Sequence, residues 1–257
     1  MFKRPNMDIQ FKILVVYHHL ALLTLFFIDW SASWLWLSLV GWILFGKIGG
    51  EIGYHRLTAH NSFETTRLKK ILLVLLGSMA CLGSSYGWAG THRIHHRYSD
   101  TSKDPQSPMH LKWYDVWLVN WKPVKFSPIL VKDLLEDPLH VLLHKRYLEF
   151  VIVVYVLLAL IDFRIPLFLI SAASVWTFHT SSAFIDIVCH KWGYRNFETK
   201  DNSRNNTWVN LFLLGSGGLH NNHHANSNIP YTNLKPGEID TIGWLITHYF
   251  ESKKKHE

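Results

Sequence analysis

Nine of the chain's 17 histidines occur at spacings that suit metal binding. They lie in the segments GYHRLTAHNSF, THRIHHRYSD, DIVCHKWGY and GLHNNHHANS: His55, His60, His92, His95, His96, His190, His220, His223 and His224. Neutral imidazole suits iron, zinc and copper, and nine ligands are too many for one ion. Two ions that share the set would use four or five histidines each. The pattern therefore predicts a dimetal site built almost entirely from histidine.

The spacing within each set predicts local structure. On an α-helix, residues i, i+3 and i+4 share a face. The HxxHH sets that begin at His92 and His220 are therefore predicted to be helical, each with its three ring nitrogens aimed at one point. His55 and His60 are separated by five residues, which is about 140° on such a helix. A helix end or a break is expected near Leu57.

The distribution of apolar residues identifies a membrane protein. The chain has 257 residues, 48% of them hydrophobic, and these residues form blocks. A helix needs about 20 apolar residues to cross the ~30 Å hydrocarbon core of a bilayer. Four spans are expected, at about 11–29, 33–53, 147–162 and 165–188. The expected fold is an all-α integral membrane protein with one domain over 1–257, in which four transmembrane helices carry a cytoplasmic cap (54–146 and 189–257) that holds the histidines.

The segment 71–88 is also apolar, but it separates His60 from His92. If it crossed the bilayer, the two histidines would be ~30 Å apart on opposite faces. A shared metal site excludes this, so the segment is expected to be interfacial or re-entrant. Breaks are expected at its small and polar residues: Gly77, Gly83, Gly87 and Ser84–Ser85.

The basic residues predict the orientation. The turn Asp29–Ser33 has no Lys or Arg, whereas the amino terminus, the segment Arg97–Arg146 and the tail KKKHE are basic. By the positive-inside rule, both termini and the histidine clusters face the cytoplasm. The net charge of +7 is explained by this topology and by contact with anionic headgroups, without a nucleic-acid partner.

The motifs HRLTAH, HRIHH and HNNHH resemble the three histidine boxes of the membrane fatty acid desaturases of the acyl-CoA and acyl-lipid Δ9 type. The similarity extends through SDTSKDP and SRNN and covers about Ile48 to Ile246. The resemblance implies a four-span fold with two iron ions bound by the nine histidines. It also implies a reaction in which O2 and two electrons remove two hydrogens from an acyl chain and leave a cis double bond.

The resemblance also implies partners. The substrate is an acyl chain on CoA or on a membrane lipid, and Gly90–Thr91, where animal acyl-CoA enzymes have Arg–Asp, favours the lipid. A separate donor, such as ferredoxin or a small haem cytochrome with its reductase, is expected to supply electrons. Zinc binds the same imidazoles, so a purified sample is expected to accept it. Lys254–Lys255 is interpreted as a basic tail, which favours the bacterial inner membrane over the endoplasmic reticulum.

One supporting residue departs from the family pattern. Asp186 stands where many members have Asn, four residues before His190. It is predicted to hydrogen-bond a metal-bound water or a ligand histidine rather than to bind a metal directly. An ion pair with Lys191 or Arg195 is the alternative.

Two further residues have an open role. Glu51 lies one turn before His55, where it either orients the imidazole, as supporting carboxylates do, or pairs with Lys47. Trp88 either lines the acyl channel or anchors the chain at the membrane interface.

Two rival functions share part of this pattern. A histidine-box hydroxylase or other oxygenase would give an alcohol in place of an alkene. A metal transporter or sensor would place its ligands within the spans, whereas the histidines here follow the ends of the apolar blocks. Metal analysis with O2 consumption separates the second rival from an enzyme.

Overall fold

The computed structural model describes residues 7–120 and 124–252, and every regular element within them is helical. The basic residues of the amino terminus and the tail KKKHE lie outside the described residues. The expected all-α class is therefore confirmed for the part of the chain that is described. In chain order the helices are Met7–Leu23 with its 3-10 extension Thr24–Phe26, Ala32–Ala59, Arg67–Met79, Ser85–Tyr98, Trp113–Trp117, the 3-10 turn Pro128–Val131 with Lys132–Leu135, Pro138–Lys145, Tyr147–Ala159, Arg164–Lys191, Thr207–Phe212, His220–Ala225 and Thr241–Leu245 with its π-helical extension Ile246–Phe250.

The four apolar blocks all form helices. Two of these helices, Ala32–Ala59 and Arg164–Lys191, have 28 residues each and are long and apolar enough to cross a membrane. Phe11–Phe26 and Tyr147–Ala159 are apolar but shorter. The largest difference from the expected spans is that one helix continues to Ala59 instead of ending at 53.

Large apolar side chains on these helices and at their ends are exposed. Phe26 is 83% exposed, Phe27 86%, Trp36 67% and Leu160 78%. Soluble proteins rarely expose large apolar patches to water. In a membrane protein, apolar side chains on the surface are expected where the surface faces lipid. The exposure supports membrane association.

The described residues form two compact units. The first comprises the chain up to Tyr54, Ile71–Gly90 and Ser127–Phe178. It contains most of the apolar helices, which pack around a hydrophobic core. The buried members of this core are Leu14, Phe45, Met79, Ala80, Cys81, Tyr147, Val151, Ile170 and Phe178.

Within the first unit, glycines permit a close helix contact. A Cβ atom on Gly49 would lie 2.3 Å from the backbone nitrogen of Gly77, so the helices Ala32–Ala59 and Arg67–Met79 touch backbone to backbone. Small residues commonly allow this approach in membrane helices. The prediction that Gly77 and Gly87 break the segment 71–88 is therefore wrong. Both lie inside helices, and Gly77 is a packing residue.

The break in this segment lies between Met79 and Ser85. Cys81 and Gly83 have positive φ values of 58° and 90°, which end one helix and redirect the chain into the next. The Tyr147 hydroxyl accepts a hydrogen bond from the Gly83 amide at 3.1 Å, which holds the turn. The predicted break is confirmed at Gly83 and Ser84. The position of the segment relative to a bilayer stays a prediction.

The second unit comprises His55–Lys70, Thr91–Phe126 and the chain from His179 onward. It contains the ends of the long helices, several short helices and long polar loops. All nine predicted ligand histidines belong to this unit.

Candidate metal centre

The second unit brings the nine histidines together in two groups, and in each group the candidate ligand atoms lie within 4.8 Å of one another. The five-histidine group consists of His55, His60, His92, His96 and His223. The four-histidine group consists of His95, His190, His220 and His224. The sizes match the number of ligands expected for two ions.

The two HxxHH sets lie on helices as predicted, at Ser85–Tyr98 and His220–Ala225. However, neither set aims all three rings at one point, so that prediction is wrong. His95 joins a different group from its box neighbours, and so does His223. On a helix, successive residues point about 100° apart, so the adjacent residues of one HH pair face two different centres.

His55 and His60 join the same group through a wider helical turn. The helix end expected near Leu57 lies at Ala59, and the chain does not break before it but continues through Leu57 with π-helical geometry. The His60 amide donates to the His55 carbonyl at 3.1 Å, which is the i→i+5 pattern of a π-turn. Such a turn brings residues five apart onto the same side of the helix. π-turns are rare and are frequent at functional sites.

The ring nitrogens of the five-histidine group converge. The Nε2 atom of His223 lies 2.9 Å from that of His55 and 3.1 Å from that of His96. The Nε2 atoms of His60 and His92 are 2.8 Å apart. One N–H donates to one acceptor, so hydrogen bonds between the rings do not satisfy His223 and both of its neighbours together. A shared cation does.

The four-histidine group contains unsatisfied nitrogens. The Nε2 atoms of His190 and His220 are 3.0 Å apart. The Nε2 atoms of His95 and His224 are buried and have no hydrogen-bond partner among the described residues. A buried nitrogen without a partner is costly, and a metal ion would satisfy its lone pair.

Three carboxylates hydrogen-bond the histidines of this group at the ring nitrogen that points away from its centre. The Nδ1–H groups of His95, His190 and His224 donate to Asp104 at 3.0 Å, Asp100 at 2.8 Å and Asp201 at 2.8 Å, respectively. Metal-binding histidines commonly donate their second ring nitrogen to a carboxylate, which turns the other lone pair toward the metal.

Sequence reasoning did not identify these carboxylates. Asp100 and Asp104 lie in SDTSKDP, directly after the second histidine box, and Asp201 lies in a polar loop before the third box. Acidic residues next to a histidine box were the available signal. Burial alone would raise the pKa of these carboxyl groups, but their hydrogen bonds to histidine and to nearby donors lower it, to about 2 for Asp100.

Most of the histidines are held in the neutral form that binds metal. Burial, followed by the charge of neighbouring groups, lowers the pKa well below its usual value in five of them: His60, His92, His96, His220 and His223. The same causes lower the pKa of His224 to about 4 against the effect of Asp201. For His95, burial is the largest single effect and lowers the pKa, but the hydrogen bond to Asp104 and the charges of the nearby carboxylates together outweigh it, so the net pKa is raised.

The asparagines between the histidines of the third box hold its helix in place. Asn222 is fully buried and donates to Glu238 at 2.7 Å and to the Thr232 carbonyl at 2.8 Å. Asn205 donates to the Asn222 side chain at 2.7 Å. These fixed contacts orient a helix of only six residues, which has little stability of its own.

Both groups fit a metal ion. Two nitrogens that bind one ion at about 2.1 Å and at a right angle lie about 3.0 Å apart. The nearest Nε2 pairs here are 2.8 to 3.1 Å apart. The donors are imidazoles, buried and largely neutral. The site is suited to two ions of the first transition row or zinc.

Comparison with known proteins agrees with this chemistry. The family model described as "Fatty acid desaturase" matches residues 28–237, which include all nine histidines. The chain belongs to the fatty acid desaturase family. It is therefore an oxidoreductase of lipid metabolism.

Individual desaturases are similar to this chain over most of their length. The chain is 34% identical to the "sn-1 stearoyl-lipid 9-desaturase" of Anabaena variabilis over 87% of this chain and 82% of that protein. It is 35% identical to the "sn-2 palmitoyl-lipid 9-desaturase" of Nostoc sp. (strain 36), over 90% and 82%. It is 32% identical to the "Delta-9 acyl-lipid desaturase 2" of Arabidopsis thaliana, over 95% and 79%.

Asp186 of this desaturase pairs with a residue that the sequence did not suggest. Its Oδ1 atom accepts a hydrogen bond from Gln106 Nε2 at 2.9 Å. In the described residues, neither a ligand histidine nor the alternative partners Lys191 and Arg195 hydrogen-bond to it. The predicted contact with a metal-bound water stays a prediction.

The roles of Glu51 and Trp88 in the desaturase also stay predictions. Glu51 acts electrostatically on Lys47, in line with the ion-pair alternative. The Trp88 ring lies 6.0 Å from the Tyr54 ring and packs against an apolar cluster of the first unit.

Proposed function

We propose that this desaturase introduces a cis double bond into the acyl chain of a membrane lipid, with O2 and two iron ions. The observation that carries the proposal is the pair of convergent histidine groups with five and four members. The named relatives act on acyl-lipids at position 9, which supports the same substrate class and position here.

The reaction needs a redox cofactor. It converts a –CH2–CH2– pair, O2, two protons and two electrons into –CH=CH– and two waters. Two iron ions bound by the histidine groups would supply the O2 activation that removal of hydrogen from an unactivated methylene requires, because side-chain acids and bases do not reach it.

The protein residues prepare the site for this cofactor. Asp100, Asp104 and Asp201 hold the Nδ1 protons of three histidines, so that each Nε2 lone pair faces the centre of the group. His95, His190, His220 and His223 are buried, which limits the access of water that would protonate the rings or consume reactive oxygen species.

Fatty acid analysis tests the proposed function. Expression in a desaturase-deficient host is expected to yield monounsaturated acyl chains that are absent from the empty-vector control. Mass spectrometry of derivatised methyl esters locates the double bond, and separation of lipid classes identifies the carrier. Hydroxylated chains without alkene would overturn the proposal in favour of an oxygenase. Purified protein supplied with ferredoxin, or a small haem cytochrome, and its reductase tests the separate electron donor.

We also propose a topology of four spans with the histidine groups and both termini in the cytoplasm, in the bacterial inner membrane. The four apolar helices support the number of spans. The 2.8 Å separation of His60 and His92 argues against a membrane crossing between them, because a crossing would separate them by ~30 Å.

Cysteine labelling tests the topology. The native Cys81 and Cys189 are buried, so background labelling should be low. In intact cells an impermeant maleimide is expected to label Ser31→Cys, in the turn after the first apolar helix. Glu198→Cys, in the second unit, should react only after permeabilisation. Equal labelling of both variants in intact cells would contradict the topology.

A further inference from the structure

Acidic residues lie beside the four-histidine group, whereas basic residues lie beside the five-histidine group. Three of the four histidines in the smaller group donate to carboxylates: His95 to Asp104, His190 to Asp100 and His224 to Asp201. All three distances are 2.8 to 3.0 Å, and all six side chains are largely buried.

Two arginines lie beside the five-histidine group. Arg56 follows His55 in the chain, is only 1% exposed and acts electrostatically on His60 and His223. The Arg93 guanidinium donates to the carbonyls of Thr58 and Ala59 at 2.9 and 2.8 Å, directly before His60. Both arginines are permanently charged.

The charge of Arg56 is only partly offset. Its Nη2 atom lies 3.9 Å from Asp240, which is beyond hydrogen-bond distance. Asp240 already accepts from the Thr232 amide at 2.6 Å and from Gly243 at 2.8 Å. The Nε and Nη1 atoms of Arg56 have no hydrogen-bond partner among the described residues. A buried cation therefore faces the five-histidine side of the site.

From this charge distribution we infer that the two groups bind metal unequally: the four-histidine group takes the first and tighter ion, and the five-histidine group takes the second and weaker one. The inference rests on the proposed dimetal function and deepens it.

Two physical effects favour this order. A carboxylate behind an imidazole raises the basicity of the donor nitrogen and fixes the ring, and its loss typically lowers metal affinity 10–100-fold. A nearby guanidinium repels a divalent cation in a poorly screened interior. The additional imidazole of the larger group acts in the opposite direction, so a binding measurement decides.

Metal titration of the purified full-length protein tests the inference. Metal-stripped protein is equilibrated with zinc(II) at buffered free concentrations, and bound zinc is measured by mass spectrometry. Zinc binds imidazole and has no redox chemistry, so the result does not depend on turnover. The wild type is expected to bind two ions per chain in two separate steps.

Variants assign the steps. His220→Ala should remove the tighter step and keep the weaker one, whereas His60→Ala should do the opposite. Asp104→Asn and Asp201→Asn should each weaken the tighter step by about 10–100-fold. Arg56→Met should tighten the weaker step. Asp115→Asn is the matched control and should leave both steps unchanged, because this carboxylate accepts its hydrogen bond from Asn120 and belongs to neither histidine group.

The failures are distinguishable. Two ions that bind in one step, or a tighter step that survives in His220→Ala, would overturn the inference while the dimetal function stands. Fewer than two ions per wild-type chain at saturation would overturn the proposed function as well.

Discussion

Replacement of any one of His92, His96, His220 or His224 by alanine is expected to abolish double-bond formation while the protein stays in the membrane. The rings of each group are within 4.8 Å of one another at their ligand atoms, so each removal takes one donor from a shared ion. The loss of a residue that only supports a ligand costs about 10–100-fold in affinity or activity, and the loss of the ligand should cost at least as much.

The measurement is the amount of unsaturated product per amount of membrane-bound protein in a desaturase-deficient host. His248→Ala is the matched control, because His248 is exposed and belongs to neither group. It should retain wild-type product. Normal product in two of the four ligand variants would mean that the site is assigned wrongly.

The substitution Asp186→Leu is expected to lose most of the activity, about tenfold or more, whereas Asp186→Asn should keep at least part of it. Leucine leaves the Gln106 amide without its acceptor, and an unsatisfied buried polar group costs about 1–3 kcal/mol. It also removes a carboxyl group one turn before His190. Asparagine keeps an oxygen that accepts from Gln106.

Two quantities are measured for each Asp186 variant: the amount of unsaturated product per amount of membrane-bound protein, and the zinc content of the purified protein. Asp186→Asn should keep both ions. If Asp186→Leu shows wild-type turnover and metal content, Asp186 serves only the packing of its helix, and the argument from its charge is wrong.

The apolar helices were predictable because a run of consecutive apolar residues is visible in the sequence itself. The expected span 165–188 lies inside the helix Arg164–Lys191, and 147–162 overlaps Tyr147–Ala159 closely. The helix that carries His55 extends six residues beyond its expected end. Hydropathy does not register polar residues that continue a helix beyond the apolar core, so this end was not predictable.

The histidines were predictable from type and spacing, but their division into two groups was not. The exchange of His95 and His223 between groups depends on how separate helices meet, which no local spacing encodes. The π-turn at His55–His60 was readable only if a five-residue interval was taken as a wider helix rather than as a break. The partners Asp100 and Asp201 are 90 and 23 residues from their histidines, so proximity in sequence did not reveal them.

The division of the HxxHH sets also means that neither histidine group is a separate module. The helix Ser85–Tyr98 contributes to both groups, and so does His220–Ala225. Insertion of one residue between His92 and His95 would turn the later rings by about 100° and dismantle both groups together. A change of register in either of these helices therefore affects both histidine groups. Substitution of a single histidine removes a ligand from one group only, whereas a shift of either helix displaces ligands of both groups.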